Sequence, residues 1–244
     1  MENNIKGKVV IITGASSGIG KSTARLFSSE GATVIAISRD KSKLDKVKEE
    51  FQKDGLKLEV FSCDISKEDE VKALIESVIE TSGKIDILIN NAGLGYRTPV
   101  EEMSAEQFDT MMNTNIRGVF LITKYVLPNM KKRKDGYIIN ISSGAGRNGI
   151  ANMSGYCASK FALMGFTESV ALEVKPYDIR VSVLCPGSTS TEFHENIGSH
   201  PDEAAREAMI QPEDIAGTIY HMVTQPKRYW VFEVVTRAFL TGRK

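Results

Sequence analysis

The sequence predicts an α/β fold, a doubly wound parallel β-sheet flanked by helices on both faces. Short apolar, β-branched runs alternate with stretches of helical periodicity along the chain. The runs are apolar over successive residues, as strands buried on both faces are. A glycine-rich turn joins the first run to the first helical stretch. Alternation at this spacing is what parallel strands with helical crossovers require.

Taken in order, 8–13 reads as the first strand, closed by Gly14. A helix follows to about residue 30, where Gly31 stops it. Residues 33–38 are the second strand, and Leu44, Val47 and Phe51 mark the inner face of a charged helix that ends before Gly55. Residues 57–62 form the third strand. Val71, Leu74, Ile75, Val78 and Ile79 then make an i, i+3, i+4 stripe on a helix running to about 82. Residues 85–89 are the fourth strand. Ser104-Ala105-Glu106-Gln107 is a capping box that opens one long helix to the basic run 131–134. Its inner stripe holds Phe108, Met111, Met112, Asn115 and Val119. Strand 137–141, a serine-containing loop, a helix from Tyr156 to about 175 and strand 179–184 follow. Short helices near 202–209 and from Pro212 precede a last strand at 229–236. No linker, repeat or low-complexity segment interrupts the 244 residues, so the expectation is one domain. Its dinucleotide half is expected at about 1–100 and its catalytic half at about 101–244.

Lysine plus arginine equals aspartate plus glutamate at 31 each, which removes bulk charge as a reason to bind nucleic acid or an anionic membrane. The apolar runs are too short to span a bilayer, and Met1-Glu2-Asn3-Asn4-Ile5 lacks the apolar core of a leader. Cys63, Cys157 and Cys185 are odd in number and widely spaced, which suits a reduced, cytoplasmic setting and gives no metal-ligand spacing.

Three features carry chemistry. Gly14-x-x-x-Gly18-x-Gly20 sits between a strand and a helix, where glycines let backbone approach phosphates and helix amides meet their charge. Tyr156 and Lys160 lie one helical turn apart on one face. A free phenol titrates near pH ~10, and a neighbouring ammonium lowers that value toward a usable range. Asn115 is an amide on an apolar stripe, so it needs buried partners. Singly these have ordinary readings: a tight turn, an exposed helical pair, an asparagine bonded to backbone.

Together with Asn90-Asn91-Ala92-Gly93, Ser143 and Pro186-Gly187, in this order and spacing, they resemble the short-chain dehydrogenase/reductase family over nearly the whole chain. The resemblance implies a Rossmann-type fold and an NADP(H)- or NAD-dependent exchange between carbonyl and alcohol. It makes Tyr156 the proton donor or acceptor, Lys160 its ionic partner, Ser143 the group that binds the carbonyl oxygen, and Asn115 the residue holding a relay water. It places Gly14, Ser16, Ser17, Gly18, Ile19 and Gly20 at the phosphates. Asp64, Ile65, Asn91, Ala92 and Gly93 fall beside the adenosine and its ribose. Tyr156 and Lys160 hold the nicotinamide ribose, and Pro186, Gly187, Thr189 and Thr191 reach the carboxamide side. It also implies a homotetramer or homodimer, formed through the long helix and the Tyr156 helix.

At the end of the second strand, Ser38 stands where members that prefer NAD carry an acid, and Arg39 follows. A guanidinium suits a 2′-phosphate, so NADP is expected, with Asp40 gripping the ribose as the alternative. Many members, including most 3-oxoacyl-carrier-protein reductases, end in Val-Asp-Gly-Gly. This chain reads Trp230-Val231-Phe232-Glu233 there, closer to the branch acting on small hydroxy acids and assorted carbonyls. The loop 188–211 is polar, with Glu192, His194, Glu195 and His200, and points to a small polar carbonyl or alcohol substrate. His194 and His200 read as solvated loop residues. The run Lys131-Lys132-Arg133-Lys134 reads as a solvated helix end rather than a dock for acyl carrier protein. The rivals are a 3-oxoacyl-carrier-protein reductase and a non-catalytic NADP(H)-binding sensor or assembly subunit.

Overall fold

The computed structural model describes residues 4–239. The expectation that Met1, Glu2 and Asn3 carry no leader lies outside them. Seven strands form one parallel sheet in the order β3-β2-β1-β4-β5-β6-β7. They are β1 Val9–Thr13, β2 Thr33–Ser38, β3 Glu59–Ser62, β4 Ile87–Asn90, β5 Gly136–Ile141, β6 Ile179–Cys185 and β7 Glu233–Val235. The helices are α1 Gly18–Ser29, α2 Lys41–Lys53, α3 Glu68–Ser82, α4 Ala105–Met112, α5 Gly118–Arg133 and α6 Ser154–Val174, then α7 Phe193–Asn196, α8 Glu203–Ala208 and α9 Pro212–Val223.

Alternation within β1 divides the core. Val10 and Ile12 pack with α1, α2 and α9 through Phe27, Val47, Phe51 and Ile219. Val9 and Ile11 face α3, α5 and α6 through Ile75, Leu121, Val126 and Val170. Both layers are apolar, so each strand must be apolar on both sides. Between these faces, buried Asn90 donates to Asn140 (2.9 Å), and Asn140 donates to Thr167 (2.9 Å). That chain ties β4 and β5 to α6.

Four expectations need correction. The long helix from Ser104 is two helices joined by a π-helical turn, Asn113–Arg117. The turn puts Thr114 and Asn115 together on the inner face, and π-turns of this kind commonly mark functional sites. Phe108 is not on the buried stripe but 40% exposed. The last strand covers only Glu233–Val235, because the chain before it is held by side chains: Trp230 Nε1 donates to Ser182 Oγ, which donates to Val231 O. Finally, the basic run is not simply solvated. Arg133 donates to Asn129 and, at 2.9 Å, to the buried carboxylate of Asp86, which also meets Lys8 and Lys84.

Candidate active site

The strand order reverses between β1 and β4, and a cleft of about 490 Å³ opens there at the carboxyl ends of the strands. Its floor is the glycine turn. Gly14 sits at φ 65, and a Cβ added to it would lie 2.8 Å from Ala92 Cα. Thr13 holds the two strand ends together, its Oγ1 accepting from the amides of Asn91 and Ala92 at 3.0 Å each. Asn91 Nδ2 donates back to the carbonyls of Thr13 (3.0 Å) and Gly14 (3.1 Å). Helix α1 begins here with no side-chain cap and no acid in its first turn. Its unpaired amides and positive dipole end therefore face the cleft at Ser17, Gly18 and Ile19.

At one end of the cleft stand Ser38, Arg39, Asp64 and Ile65. Ser16 and Ser38 share a hydroxyl hydrogen bond of 3.0 Å. Asp40 does not line the cleft. Its carboxylate caps α2, accepting from Lys43 N (3.0 Å) and Ser42 Oγ (2.9 Å), and these bonds hold it below the usual carboxylate range. Burial pushes Asp64 up, but Ser66 donates to it from N (3.0 Å) and Oγ (2.7 Å) and brings it net below that range.

At the other end, α6 presents Tyr156 and Lys160, both buried. The Ser143 hydroxyl is near enough to the Tyr156 phenol to lower its pKa, and Ser143 Oγ accepts from Ala145 N at 3.1 Å. Lys160 Nζ donates to Ile141 O at 2.9 Å and lies 5.7 Å from the Tyr156 ring centroid. This geometry corrects the expected phenol shift. Burial pushes Tyr156 up to about 12, with the Ser143 contact opposing, and burial pushes Lys160 down to about 8. Desolvation outweighs the ammonium because Lys160 is aimed at a backbone carbonyl rather than at the phenol oxygen.

Asn115 finds the partners its position demanded. It accepts from Leu94 N (2.9 Å) and donates to Leu94 O (2.8 Å) and Ser159 Oγ (2.9 Å). Ser159 donates in turn to Tyr156 O at 2.8 Å. The π-turn, the loop after β4 and the Tyr156 helix are thus locked together. Asn115 and Gly20 lie behind the cleft wall; the other expected residues line it, including Ser143, Gly93, Pro186, Gly187, Thr189 and Thr191.

Sequence reasoning placed Thr13 at the head of the glycine motif but gave it no role, and it missed Ser159, although Ser159 directly precedes Lys160. It also missed the inner face of the loop. Phe193 and Ile197, four residues apart, point into the cleft among Leu94, Met153 and Tyr156. Their i, i+4 spacing in a polar segment was the available signal. His194 is half-buried rather than fully solvated: it lines the cleft, its Nε2 is 3.4 Å from Ser188 Oγ, and burial lowers its pKa. His200 remains exposed.

Comparison with known proteins agrees with this architecture. The family model for short chain dehydrogenases matches residues 8–202. An uncharacterised oxidoreductase of Staphylococcus saprophyticus is 37% identical, over 96% of this chain and 97% of its own. A 3-oxoacyl-[acyl-carrier-protein] reductase of Thermotoga maritima is 35% identical, over 95% and 96% of the two chains. The crystal structure of a metagenomic short-chain oxidoreductase in complex with NADP superposes with a TM-score of 0.85 at 35% identity, covering 97% and 99% of the two chains. The parallel sheet with its crossover helices is thus a known architecture, and the chain belongs to the short-chain dehydrogenase family of oxidoreductases.

Proposed function

We propose that this protein is an NADP(H)-dependent oxidoreductase that interconverts a carbonyl and a secondary alcohol, with Tyr156 as general acid and base. The observation that carries this reading is the meeting of Tyr156, Ser143 and Lys160 at one end of a cleft whose floor is an open helix amino terminus. A dinucleotide fits that floor: the uncapped α1 amides suit a pyrophosphate, and the glycine turn leaves space for it. The structural relative with bound NADP supports the same cofactor. When bound, the nicotinamide supplies or accepts the hydride.

The chain's own residues handle the oxygen. Ser143 donates to the carbonyl oxygen and steadies the charge that develops there. Tyr156, its phenol pushed up to about 12, is protonated at neutral pH and delivers the proton to a nascent alkoxide. Lys160 holds positive charge behind it, and Asn115 and Ser159 fix the helix that carries both. We assign about 1–100 to dinucleotide binding, about 101–244 to catalysis and substrate, and 188–211 to the substrate loop. Three free, buried cysteines fit a cytoplasmic setting. Among the described residues, no helix is long and apolar enough to cross a membrane.

Arg39 decides the cofactor. With Asp40 committed to α2, the groups left at the end of β2 are Ser38, Ser16 and Arg39. NADPH is expected to exceed NADH by at least about tenfold in kcat/KM, the scale of one charged hydrogen bond. Arg39→Ala is expected to remove most of that preference and spare activity with NADH. Steady-state kinetics with both cofactors checks this, and a wild-type protein that uses NADH equally well overturns it.

The second reading, a 3-oxoacyl-carrier-protein reductase, is favoured by the Thermotoga relative. It would be preferred if an acyl-carrier-protein thioester outran every free ketone with steep salt sensitivity. Arg133 gives it little support, because that side chain serves Asp86. A non-catalytic sensor would have little need for all of Asn115, Ser143, Tyr156 and Lys160.

We further propose a homotetramer or homodimer. Phe120 on α5 and Phe161 on α6 are 45% and 48% exposed, and two such helices can pair across a two-fold axis. Light scattering at micromolar protein is expected to give the mass of two or four chains. A single-chain mass overturns it.

A further inference from the structure

The substrate end of the cleft is chemically unlike the loop that covers it. Leu94, Ala145, Met153, Phe193 and Ile197 both line the cleft and pack around Tyr156. The Phe193 ring lies 5.3 Å from the Tyr156 ring, tilted by 44°. Both rings close on Gly95, where an added Cβ would sit 3.0 Å from Phe193 Cζ and from Tyr156 Cδ2. Two of the loop's acidic residues are paired outside the substrate end. Glu192 pairs with Lys43 of α2 at 2.9 Å, and Glu195 pairs with Arg206 at 2.9 Å.

Charge is equally informative. Among the described residues lining the cleft, the lysines and arginines are Arg39 and Lys160. Arg39 stands at the far end, near enough to Asp64 to lower its pKa, and Lys160 Nζ is bonded to Ile141 O. Burial lowers the pKa of His194, which disfavours its charged form. A carboxylate placed beside Tyr156 would leave water against a wall of aliphatic and aromatic carbon, and the lysine at this end, Lys160, is already bonded to Ile141 O. Burying an unpaired charge in such a place is strongly unfavourable.

We infer that the substrate is an uncharged ketone, or its secondary alcohol, bearing a compact apolar group such as an aryl or branched alkyl, and not a keto acid or hydroxy acid. This rests on the carbonyl–alcohol reading above and replaces the small polar substrate expected from loop composition. In the reducing direction the carbonyl carbon takes a hydride from the reduced nicotinamide. The oxygen takes the Tyr156 proton, which solvent replaces, and the cofactor leaves oxidised by two electrons. Phe193 and Ile197 hold the apolar group and so present the carbonyl to Ser143 and Tyr156.

The test compares 4-phenyl-2-butanone with 4-phenyl-2-oxobutanoate, in which a carboxylate replaces the methyl group. With NADPH, the neutral ketone is expected to lead by at least about tenfold in kcat/KM, the scale on which apolar pockets discriminate. Phe193→Ala is expected to cost about tenfold on the ketone, mainly through KM, and Phe193→Leu to recover most of it. Calorimetric titration of the protein loaded with oxidised NADP, which cannot reduce a ketone, reads binding of the same pair apart from chemistry. Tighter binding of the ketone with no reduction of either compound keeps the substrate class and overturns the reaction. Equal or tighter binding of the keto acid, or binding of neither, overturns the substrate class.

Discussion

Tyr156→Phe is expected to lower kcat by at least about a hundredfold, the low end for loss of a general acid, while NADPH affinity stays within about twofold. The substitution removes one oxygen and keeps the ring that packs against Phe193 and Met153. No neighbouring group replaces the proton. Ser143 carries an aliphatic hydroxyl, a far weaker acid than a phenol, and Lys160 Nζ is turned toward Ile141 O. The pH dependence follows from the same burial. Tyr156, pushed up to about 12, stays protonated throughout the working range, so it does not set a limb of the reduction profile. Lys160 is pushed down to about 8, so its charge is present below that pH and lost above it. That charge stabilises the oxyanion and the phenolate left after transfer. Reduction is therefore expected to hold at lower pH and fall as pH rises through about 8. Steady-state rates from pH 6 to 10, with fluorescence titration of NADPH for each variant, check both statements. Near-normal turnover by Tyr156→Phe on any active substrate would remove Tyr156 from the mechanism.

The parts of this site that were legible in the sequence are those whose geometry is local. Gly14, Gly18 and Gly20 fall within seven residues, and Tyr156 and Lys160 within one helical turn, so spacing alone places them. The parts that were not legible depend on partners far along the chain. The amide of Asn115 was visibly out of place, but its partners Leu94 and Ser159 are 21 and 44 residues away. The π-turn that aims it leaves no signature in a 3.6-residue pattern. Arg133 read as a solvent cation because Asp86 is 47 residues earlier. The direction of the Tyr156 shift was misjudged for a related reason. Spacing places an ammonium near the phenol, but it does not say how deeply both are buried or where the ammonium points. The loop 188–211 misled through its average. Its acidic residues Glu192 and Glu195 are paired with Lys43 and Arg206, while Phe193 and Ile197 face inward.

Gly20→Ala is expected to cost about 1–3 kcal/mol of stability, the usual penalty for forcing a group into filled space. At about 2–4 °C per kcal/mol for a chain of this length, the melting temperature should fall by roughly 2–12 °C. Helix propensity argues the other way, since alanine in a helix is favoured over glycine by up to about 1 kcal/mol. Packing decides against it. A Cβ at Gly20 would lie 2.3 Å from Gly14 O and 2.6 Å from Asn91 Nδ2, and the nearer atom is backbone. Relief requires α1 to retreat from the glycine turn or the turn to move into the cleft. Either motion disturbs the Asn91 bonds to Thr13 and Gly14 and shifts the α1 amides, so NADPH affinity should fall with stability. Gly217→Ala is the matched control. Gly217 lies within α9, and a Cβ there meets nothing within 4 Å. The same substitution should therefore stabilise the protein by about 0.5–1 kcal/mol and leave the cofactor untouched. Thermal unfolding and NADPH titration of the two variants separate the effects. If Gly20→Ala behaved like Gly217→Ala, the close approach of α1 to the turn would have no energetic consequence, and the cradle would be set by the remaining glycines.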